Sequence, residues 1–410
     1  MQFTPILQPL FRVNMSLLLL LVGVVISYDP SYDPSYDPPE EYRPTPALIR
    51  QWGYPAETHY VTTLDGYILA LHRIPNGRKP SSSSTQEKPV VFLQHGLEDS
   101  SATWVINRPD QSLGFMLADA GCDVWMGNVR GNTYSRNHTS LSARNKAFWA
   151  FTFDEHALFD LPSMIYYVID FTGAQTLSYY GHSQGTLMGF VGFSSSQELS
   201  KKVNLFAALA PVARITHVEG LIRALNYVEP ELQWIIELLG INELTLPSWL
   251  LEMLIDVVCP RAQHKLCENL IFLGTGWDTS NLNATRIPVY VGHTPAGTST
   301  LNIVHWAQLL RARRLQKFDY GSEIANMAHY NTSTPPRYHV QRLDVPVALF
   351  AGGNDFLADP RDVVWLEGQL KPGLVVLNKF YDDYNHLDFV WGLDANRRVY
   401  DYLVKLVPGL

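Results

Sequence analysis

The feature that most constrains the fold is a series of short apolar runs, each ended by a glycine, a proline or a polar turn. The runs are Val90 to Gln94, Cys122 to Met126, Leu177 to Tyr180, Leu205 to Leu209, Val345 to Phe350 and Leu374 to Leu377. Such runs are typical of parallel strands buried on both faces. Because helix-like stretches lie between them, the sequence predicts an α/β fold with a mostly parallel central sheet, whose active groups gather at the carboxyl ends of the strands.

One helix-like stretch illustrates the pattern between the strands. It runs from Leu161 to Asp170. Asp160 is placed to cap its first turn, and Pro162 suits its opening because proline fits the first helical positions.

The alternation of strands and helices breaks between about Arg214 and Pro336. Glu231 to Leu239 and Trp249 to Val258 are strongly apolar helical segments without a matching strand pattern. We interpret residues 214–336 as an inserted helical cap or lid. The core of the α/β fold is then expected in two parts, 46–213 and 337–410.

The first 45 residues predict processing rather than a fold. Arg12 precedes an apolar block, Leu17 to Ile26, that ends at Ser27 and has the length of a signal peptide, so residues 1–27 are expected to be cleaved. A membrane anchor is the alternative, but the block falls short of the roughly 20 apolar residues that a span needs. The repeat of Tyr-Asp-Pro that follows cannot build a core, so 28–45 is expected to be a disordered leader or propeptide.

Three N-glycosylation sequons agree with export. They begin at Asn137, Asn283 and Asn331. Together with the signal peptide they predict a protein of the secretory pathway, either secreted or lysosomal. The net charge of −8 and the lack of a long basic run argue against a nucleic-acid partner.

The chemistry centres on Ser183 in Gly181-His182-Ser183-Gln184-Gly185. This pentapeptide alone is weak, but Ser183 follows a predicted strand and precedes the helix-like stretch Thr186 to Val191, which is the context of a nucleophile elbow. The glycines on either side give room to the strained turn. An ester hydrolase with a hydroxyl nucleophile also needs a base, a carboxylate and oxyanion donors.

The expected oxyanion donors are main-chain N–H groups. Leu97, in the motif His95-Gly96-Leu97 after a strand, supplies one, and Gln184, the residue after the nucleophile, supplies the other.

Asp355 and His386 complete the predicted triad. Each lies just past a predicted strand, and the order Ser, Asp, His along the chain is the one that α/β-hydrolases use. Taken singly, Asp355 is as well explained as a turn residue after two glycines, and His386 as a surface histidine. Their order and their strand-end positions together favour catalysis.

Several polar residues near these motifs are expected to have structural roles. Asp359 precedes Pro360 and is expected to cap a helix. His182 cannot easily turn back onto the Ser183 hydroxyl and is expected to pack, and His95 is expected to shape the oxyanion loop. The histidines form no H-E-x-x-H motif and the cysteines no paired C-x-x-C motif, so neither a metal nor another cofactor is expected.

With these residues in place, the chain resembles the acid lipase family, the gastric and lysosomal lipases, from about Pro46 to Leu406. The resemblance rests on several motifs in order. They are His95-Gly96-Leu97, Gly127 to Asn132, Phe148-Trp149 through Asp154-Glu155, the Ser183 pentapeptide, His293 to Ser299 with His305-Trp306, and Gly352 to Asp355.

The resemblance implies an α/β-hydrolase fold and hydrolysis of triacylglycerols or cholesteryl esters at a lipid interface, such as a droplet or an emulsion. It also implies a helical cap with a mobile lid, no cofactor, the triad Ser183, Asp355 and His386, and oxyanion donors at Leu97 and Gln184.

The chain departs from the family pattern at a few positions. Glu98 stands where the family usually carries an apolar residue, which is expected to put a charge beside the oxyanion loop. Cys122 replaces the usual aromatic residue. Cys259 and Cys267 match the family's cap disulfide approximately, one residue closer together, and are expected to be bonded.

Two other functions remain open at this point. A lipid-binding or carrier protein could keep the hydrolase fold, since a fold does not fix a function. An esterase or acyltransferase for smaller, water-soluble acyl groups is the other alternative. The complete triad argues against the carrier, and the bulky apolar cap argues against the small-substrate enzyme.

Overall fold

The computed structural model describes residues 39–78, 88–224, 240–245, 265–278 and 280–410. A nine-stranded sheet lies at its centre, and its strands follow the order β1-β2-β4-β3-β6-β7-β10-β11, with β5 paired to β2. The strands are β1 (Glu57–Thr62), β2 (Tyr67–Ile74), β3 (Val90–Gln94), β4 (Asp123–Gly127), β5 (Asn137–His138), β6 (Leu177–His182), β7 (Val203–Leu209), β10 (Val347–Gly352) and β11 (Val375–Tyr381). A separate antiparallel pair joins β8 (Glu243–Leu244) and β9 (Thr298–Ser299).

The sheet is mostly parallel, as predicted. All neighbouring strands from β4 to β11 in the sheet order are parallel, whereas β1, β2 and β5 add an antiparallel edge. The six apolar runs of the sequence correspond to β3, β4, β6, β7, β10 and β11. The chain leaves β3 for β4 on one side and later returns to β6 on the other, so the order reverses at β3. Ligands of open α/β sheets bind beside such a reversal.

Helices cover the faces of the sheet. The described helices are α1 (Thr45–Gln51), α2 (Leu113–Asp119), α3 (Phe153–Glu155), α4 (Leu161–Thr172), α5 (Gln184–Ser195), α6 (Gln197–Ser200), α7 (Lys265–Thr275), α8 (Ile287–His293), α9 (Thr300–Ala312), α10 (Glu323–Tyr330), α11 (Pro360–Gln369), α12 (Asp388–Trp391) and α13 (Asp401–Leu406). In the part of the chain that the structure describes, no helix combines the length and the apolar character needed to cross a membrane.

Two predicted helix caps have different outcomes. The Asp359 side chain accepts a hydrogen bond from the Arg361 main-chain N at 2.8 Å and caps α11, so that prediction is confirmed. The prediction for Asp160 is wrong, because a π-helical turn leads directly into α4 and leaves no free first turn. Asp160 is instead buried and accepts hydrogen bonds from the main chain and the guanidinium of Arg130 at 3.0 and 2.8 Å.

The folded part begins before the expected boundary at Pro46. Glu40 forms an ion pair with Arg286 at 2.8 Å, and its main-chain oxygen lies 3.1 Å from Nε2 of His293. Thr45 starts α1 and bonds the Tyr134 hydroxyl. These contacts attach residues 39–45 to the body of the protein, whereas the expected signal peptide and the Tyr-Asp-Pro repeat lie outside the described residues.

The described parts of residues 214–336, the expected insertion, are mainly helical. They contain α7 to α10 and the short β8–β9 pair. The two apolar segments expected at 231–239 and 249–258 lie outside the described residues. Cys267, on α7, is buried and disulfide-bonded, and Cys122 is a buried free thiol. Cys259, the partner that the sequence predicts for Cys267, also lies outside the described part.

Candidate active site

The turn between β6 and α5 carries Ser183 in a strained conformation. Its φ of 53° and ψ of −120° lie in a region that residues with a side chain rarely adopt. A Cβ on Gly181 would lie 2.7 Å from the main chain of Gly185, and a Cβ on Gly185 would lie 2.4 Å from the Gln94 oxygen. Glycine is therefore required at both positions, and the turn lifts Ser183 above the end of the sheet.

The three predicted catalytic side chains form one hydrogen-bonded row. Ser183 Oγ lies 2.7 Å from Nε2 of His386, and Nδ1 of His386 lies 2.9 Å from both carboxylate oxygens of Asp355. All three residues are buried to at least nine-tenths. The row is the arrangement in which a histidine can take a hydroxyl proton while a carboxylate orients the ring.

The Asp355 carboxylate is held by the loop that follows β10. Its Oδ1 accepts hydrogen bonds from the main-chain N–H groups of Leu357 and Ala358 at 2.8 and 2.7 Å. The loop therefore fixes the carboxylate in the orientation that meets the histidine ring.

His182 supports the loop that carries His386. Its Nε2 donates to the main-chain oxygen of His386 at 2.9 Å. Burial, followed by the nearby imidazole of His386, lowers the pKa of His182 to about 3, so the ring stays neutral. The sequence predicts packing only. The sequence does place a histidine beside the nucleophile at the end of a buried strand. It does not show that this histidine binds His386, because the two residues are 204 positions apart in the chain.

The expected oxyanion donors lie on either side of Ser183. Gln184 is the first residue of α5, where main-chain N–H groups have no partner within the helix. The loop after β3 approaches from the other side, since a Cβ on Gly96 would lie only 3.0 Å from Cβ of Ser183. Leu97 follows in that loop, so both predicted N–H groups belong to segments that border the nucleophile.

The side chain of Gln184 joins the site to α9. Its Oε1 accepts hydrogen bonds from Asn302 Nδ2 at 3.0 Å and from Trp306 Nε1 at 2.8 Å, and its Nε2 lies 3.3 Å from Nδ1 of His156. The sequence predicts a role for the main chain of Gln184 but none for its side chain. A buried glutamine with three partners keeps the first turn of α5 in place.

His95 shapes the loop that carries Leu97. Its Nδ1 lies 2.8 Å from the Gly96 oxygen, and its Nε2 accepts from the Val129 main-chain N at 3.3 Å. Burial lowers the pKa of His95 to about 4, so the ring is neutral and the two nitrogens act as donor and acceptor. The structure thus agrees with the structural role expected for His95.

Glu98 is a buried acid beside the same loop. Its φ is 57°, its main-chain oxygen accepts from Ala296 N at 2.7 Å, and its Oε2 accepts from Gly297 N at 3.1 Å. Burial raises the pKa of Glu98 to about 8, and the Gly297 hydrogen bond opposes that rise only in part. The expected charge beside the oxyanion loop is therefore absent at acidic and neutral pH.

The three sequon asparagines lie apart from this site in the sequence and differ in exposure. Asn137 on β5 and Asn331 at the end of α10 are exposed. Asn283 is partly buried, and its Oδ1 accepts from the main chain and the hydroxyl of Thr285 at 3.2 and 2.7 Å.

Two family descriptions match the chain. "Partial alpha/beta-hydrolase lipase region" matches residues 45–108, and "alpha/beta hydrolase fold" matches residues 89–393. The second match spans most of the chain and includes every residue of the Ser183, Asp355 and His386 row.

Curated relatives are similar over nearly the whole chain. Gastric triacylglycerol lipase from Rattus norvegicus is 44% identical over 362 residues, which cover 88% of this chain and 90% of the relative. Lysosomal acid lipase/cholesteryl ester hydrolase from Homo sapiens is 45% identical over 370 residues, with coverage of 90% and 92%. Lipase lipl-1 from Caenorhabditis elegans is 44% identical over 374 residues, also with 90% and 92% coverage.

One solved structure supports the fold independently. A soluble variant of monoglyceride lipase from Saccharomyces cerevisiae aligns with a TM-score of 0.53 at 13% identity, covering 89% of this chain and 98% of that chain. At that identity the similarity concerns the fold alone.

Proposed function

Because the chain belongs to the alpha/beta hydrolase family and, within it, to the lipases that include the gastric and lysosomal acid lipases, we propose that it cleaves carboxylic esters of neutral lipids with Ser183 as the nucleophile. The observation that carries this proposal is the unbroken row from Ser183 Oγ through the His386 ring to the Asp355 carboxylate.

The first half of the reaction forms an acyl-enzyme. Ser183 Oγ attacks the ester carbonyl carbon while Nε2 of His386 takes the hydroxyl proton, and the Asp355 carboxylate stabilises the imidazolium. The main-chain N–H groups of Leu97 and Gln184 donate to the oxyanion of the tetrahedral intermediate. His386 then gives the proton to the leaving alcohol, and the acyl group remains on Ser183.

The second half releases the fatty acid. Water enters, His386 takes one of its protons, and the resulting hydroxide attacks the acyl carbon. The oxyanion again accepts hydrogen bonds from the main-chain N–H groups of Leu97 and Gln184. When the tetrahedral intermediate collapses, the proton passes from His386 to Ser183 and the fatty acid leaves. No cofactor enters either half.

The substrate class follows from the relatives and from the insertion. The names of the similar proteins specify triacylglycerol and cholesteryl esters, and we extend both to this chain. We propose that residues 214–336 form a cap over the site, which is supported by the contact of α9 with Gln184. A cap of this kind suits long acyl chains better than small water-soluble esters.

Contact with a lipid interface is supported by exposed apolar side chains close to the site. Leu270 and Leu273 lie three residues apart on α7, and Trp277 follows four residues later. Their exposed fractions are 52%, 41% and 46%. The main-chain oxygen of Trp277 bonds Asn354, the residue before Asp355, so this apolar surface adjoins the triad.

We also propose that the chain follows the secretory pathway to an extracellular or lysosomal location. The signal-like residues 1–27, the three sequons and the disulfide-bonded Cys267 support it. Expression of the full chain in animal cells tests this, because loss of mass after removal of N-linked glycans is expected. Asn137 and Asn331, the exposed sites, are the expected carriers.

The main test of the function is a substrate panel. Purified protein is incubated with emulsified triolein, emulsified cholesteryl oleate and a soluble short-chain ester, and released acid is titrated. Ser183→Ala should abolish hydrolysis, whereas Ser142→Ala, a change at an exposed serine, should not. Binding of lipid without hydrolysis would favour a carrier, and activity on the short ester alone would favour a small-substrate esterase.

A further inference from the structure

The last residue of α7 and the three residues after it, Thr275–Asp278, lie between the loop of Asp355 and the loop of His386. The main-chain oxygen of Thr275 accepts hydrogen bonds from the His386 N at 3.1 Å and from the Phe356 N at 3.4 Å. The Thr275 carbonyl oxygen therefore links His386, the base, to Phe356, the residue after the acid Asp355.

The next two carbonyl groups extend this bridge. The Gly276 oxygen accepts from Asn385 Nδ2 at 3.2 Å, and the Trp277 oxygen accepts from Asn354 Nδ2 at 3.2 Å. Asn385 directly precedes His386, and Asn354 directly precedes Asp355. Three successive carbonyl groups of the 275–278 segment thus bind both loops of the triad.

Gly276 makes this close approach possible. Its φ is 109°, and a Cβ at this position would lie 1.8 Å from the Asn354 main-chain oxygen. A side chain cannot be accommodated unless the segment moves away from the Asp355 loop. Gly274, two residues earlier in α7, has nothing within 4 Å of the corresponding Cβ position.

Two carboxyl groups, one at the end of the 275–278 segment and one on α12, contact each other. Asp278 and Asp388 are both buried, and their carboxyl groups face each other within hydrogen-bonding reach. Asp388 Oδ2 accepts from the Asn385 N at 2.6 Å, while Asp278 Oδ1 accepts from the main chain and the hydroxyl of Ser280 at 3.0 and 2.8 Å. A hydrogen bond between two carboxyl groups needs a proton on one of them, and Asp388 is the group whose pKa is raised by its burial.

The surroundings of Asp388 favour the protonated form. Burial raises the pKa of Asp388 to about 8, the Asn385 N–H opposes the rise, and the carboxylates of Asp278 and Asp394 add to it. The titratable groups near Asp388 are Asp278 on the 275–278 segment, Asp394 in the turn after α12, and His386, two residues before Asp388 in the chain. The 3-10 helix Ser101–Trp104, which also packs against α12, carries no ionisable side chain.

We infer that the 275–278 segment positions the acid and base loops of the triad, and that the proton shared by Asp278 and Asp388 holds the segment in place. This inference rests on the proposed function, since it assumes that Asp355 and His386 act together. Asp278 and Asp388 are positioning residues that do not touch the substrate. The bridge is intact at acidic and neutral pH and is weakened once Asp388 ionises.

The first test compares two glycine variants. Gly276→Ala should lower kcat at least about tenfold with KM little changed, because small displacements of catalytic groups reduce rates strongly. Gly274→Ala, the matched control two residues earlier at the end of α7, should leave kcat unchanged. Equal kcat values for folded Gly276→Ala and Gly274→Ala would overturn the inference.

The second test does not depend on folding of the Gly276 variant. Asp388→Asn mimics the protonated acid, because its amide N–H can donate to Asp278 and its oxygen can accept from Asn385. The ratio of its kcat/KM to that of the unaltered protein should rise about fivefold between about pH 6 and about pH 9, the effect of one retained hydrogen bond. A ratio that is independent of pH would contradict the shared proton.

Failure of the proposed function gives a different result. If the unaltered protein does not hydrolyse esters, the function is wrong and no ratio is obtained. If it hydrolyses esters, loses that activity in Ser183→Ala and shows neither the glycine difference nor the pH-dependent ratio, only the inference about the 275–278 segment is wrong.

Discussion

The ring of His182 donates a hydrogen bond to the main-chain oxygen of His386 at 2.9 Å, so the neighbour of the nucleophile also supports the base. His182→Ala removes this donor. We expect kcat to fall by about fivefold to thirtyfold, the usual range for a buried hydrogen bond of 1 to 2 kcal/mol, with KM unchanged. His329→Ala, at an exposed histidine, is the control. An unaltered kcat in His182→Ala would show that the His386 loop needs no support from this side.

Asp355→Asn tests the acid of the row with little change in volume. The asparagine can no longer accept from His386 with a charged oxygen, and a ring in the wrong tautomer cannot take the Ser183 proton. Substitutions of this kind in other serine hydrolases lower kcat by roughly 10⁴-fold. We expect a loss of that order with the circular dichroism spectrum retained. A loss below about tenfold would indicate that another carboxylate orients His386.

The apolar surface on α7 can be tested with one leucine. Leu273→Ser should lower activity on emulsified triolein by about threefold to tenfold. Transfer of an exposed leucine from water into a lipid phase lowers the free energy, and the serine loses this contribution to binding at the interface. Activity on a soluble short-chain ester should not change. Leu64→Ser, at a fully exposed leucine in the turn between β1 and β2, should affect neither assay. Equal losses on both substrates would point to damage at the site instead of reduced lipid contact.

The buried acid Glu98 makes the stability depend on pH. Its pKa is about 8 in the folded protein and lies near the ordinary value of about 4.5 when the chain unfolds, so between these values only the folded state keeps the proton. Stability from this group is therefore greatest below about pH 4.5 and is lost as the pH rises towards 8. Glu98→Gln does not titrate.

The difference in Tm between Glu98→Gln and the unaltered protein should consequently grow with pH. We expect it to increase by roughly 3 °C or more from about pH 4.5 to about pH 8, measured by differential scanning calorimetry. A difference that stays constant over this interval would mean that Glu98 ionises normally in the folded protein.

Much of the architecture follows from local patterns. The strands β3, β4, β6 and β7 are predictable because a fully apolar run ended by a turn has few alternatives in an α/β chain. Their order in the sheet cannot be obtained in the same way. The reversal at β3 depends on which strands pair, and pairing is a property of the whole chain.

The residues of the site also differ in whether local sequence patterns can predict them. Ser183, Asp355 and His386 are predictable, because each occupies a strand-end loop and the three occur in a known order. The supporting contacts are not, since the ring of His182 and the main-chain oxygen of Thr275 bind His386, and the amide of Gln184 binds Asn302, each pair being more than 100 residues apart in the chain. The prediction of Asp160 as a cap fails because a π-helical turn leads directly into α4, and the buried Asp160 carboxylate binds the guanidinium of Arg130 instead.

The most direct measurement of the central claim is covalent labelling of the nucleophile. The protein is treated with a p-nitrophenyl alkylphosphonate, which transfers its phosphorus group to an activated serine, and the digested product is analysed by mass spectrometry. We predict one added phosphonate per chain, on the peptide that contains Ser183, and none in Ser183→Ala. A label on any other residue, or ester hydrolysis that persists in Ser183→Ala, would contradict the assignment of Ser183 as the nucleophile.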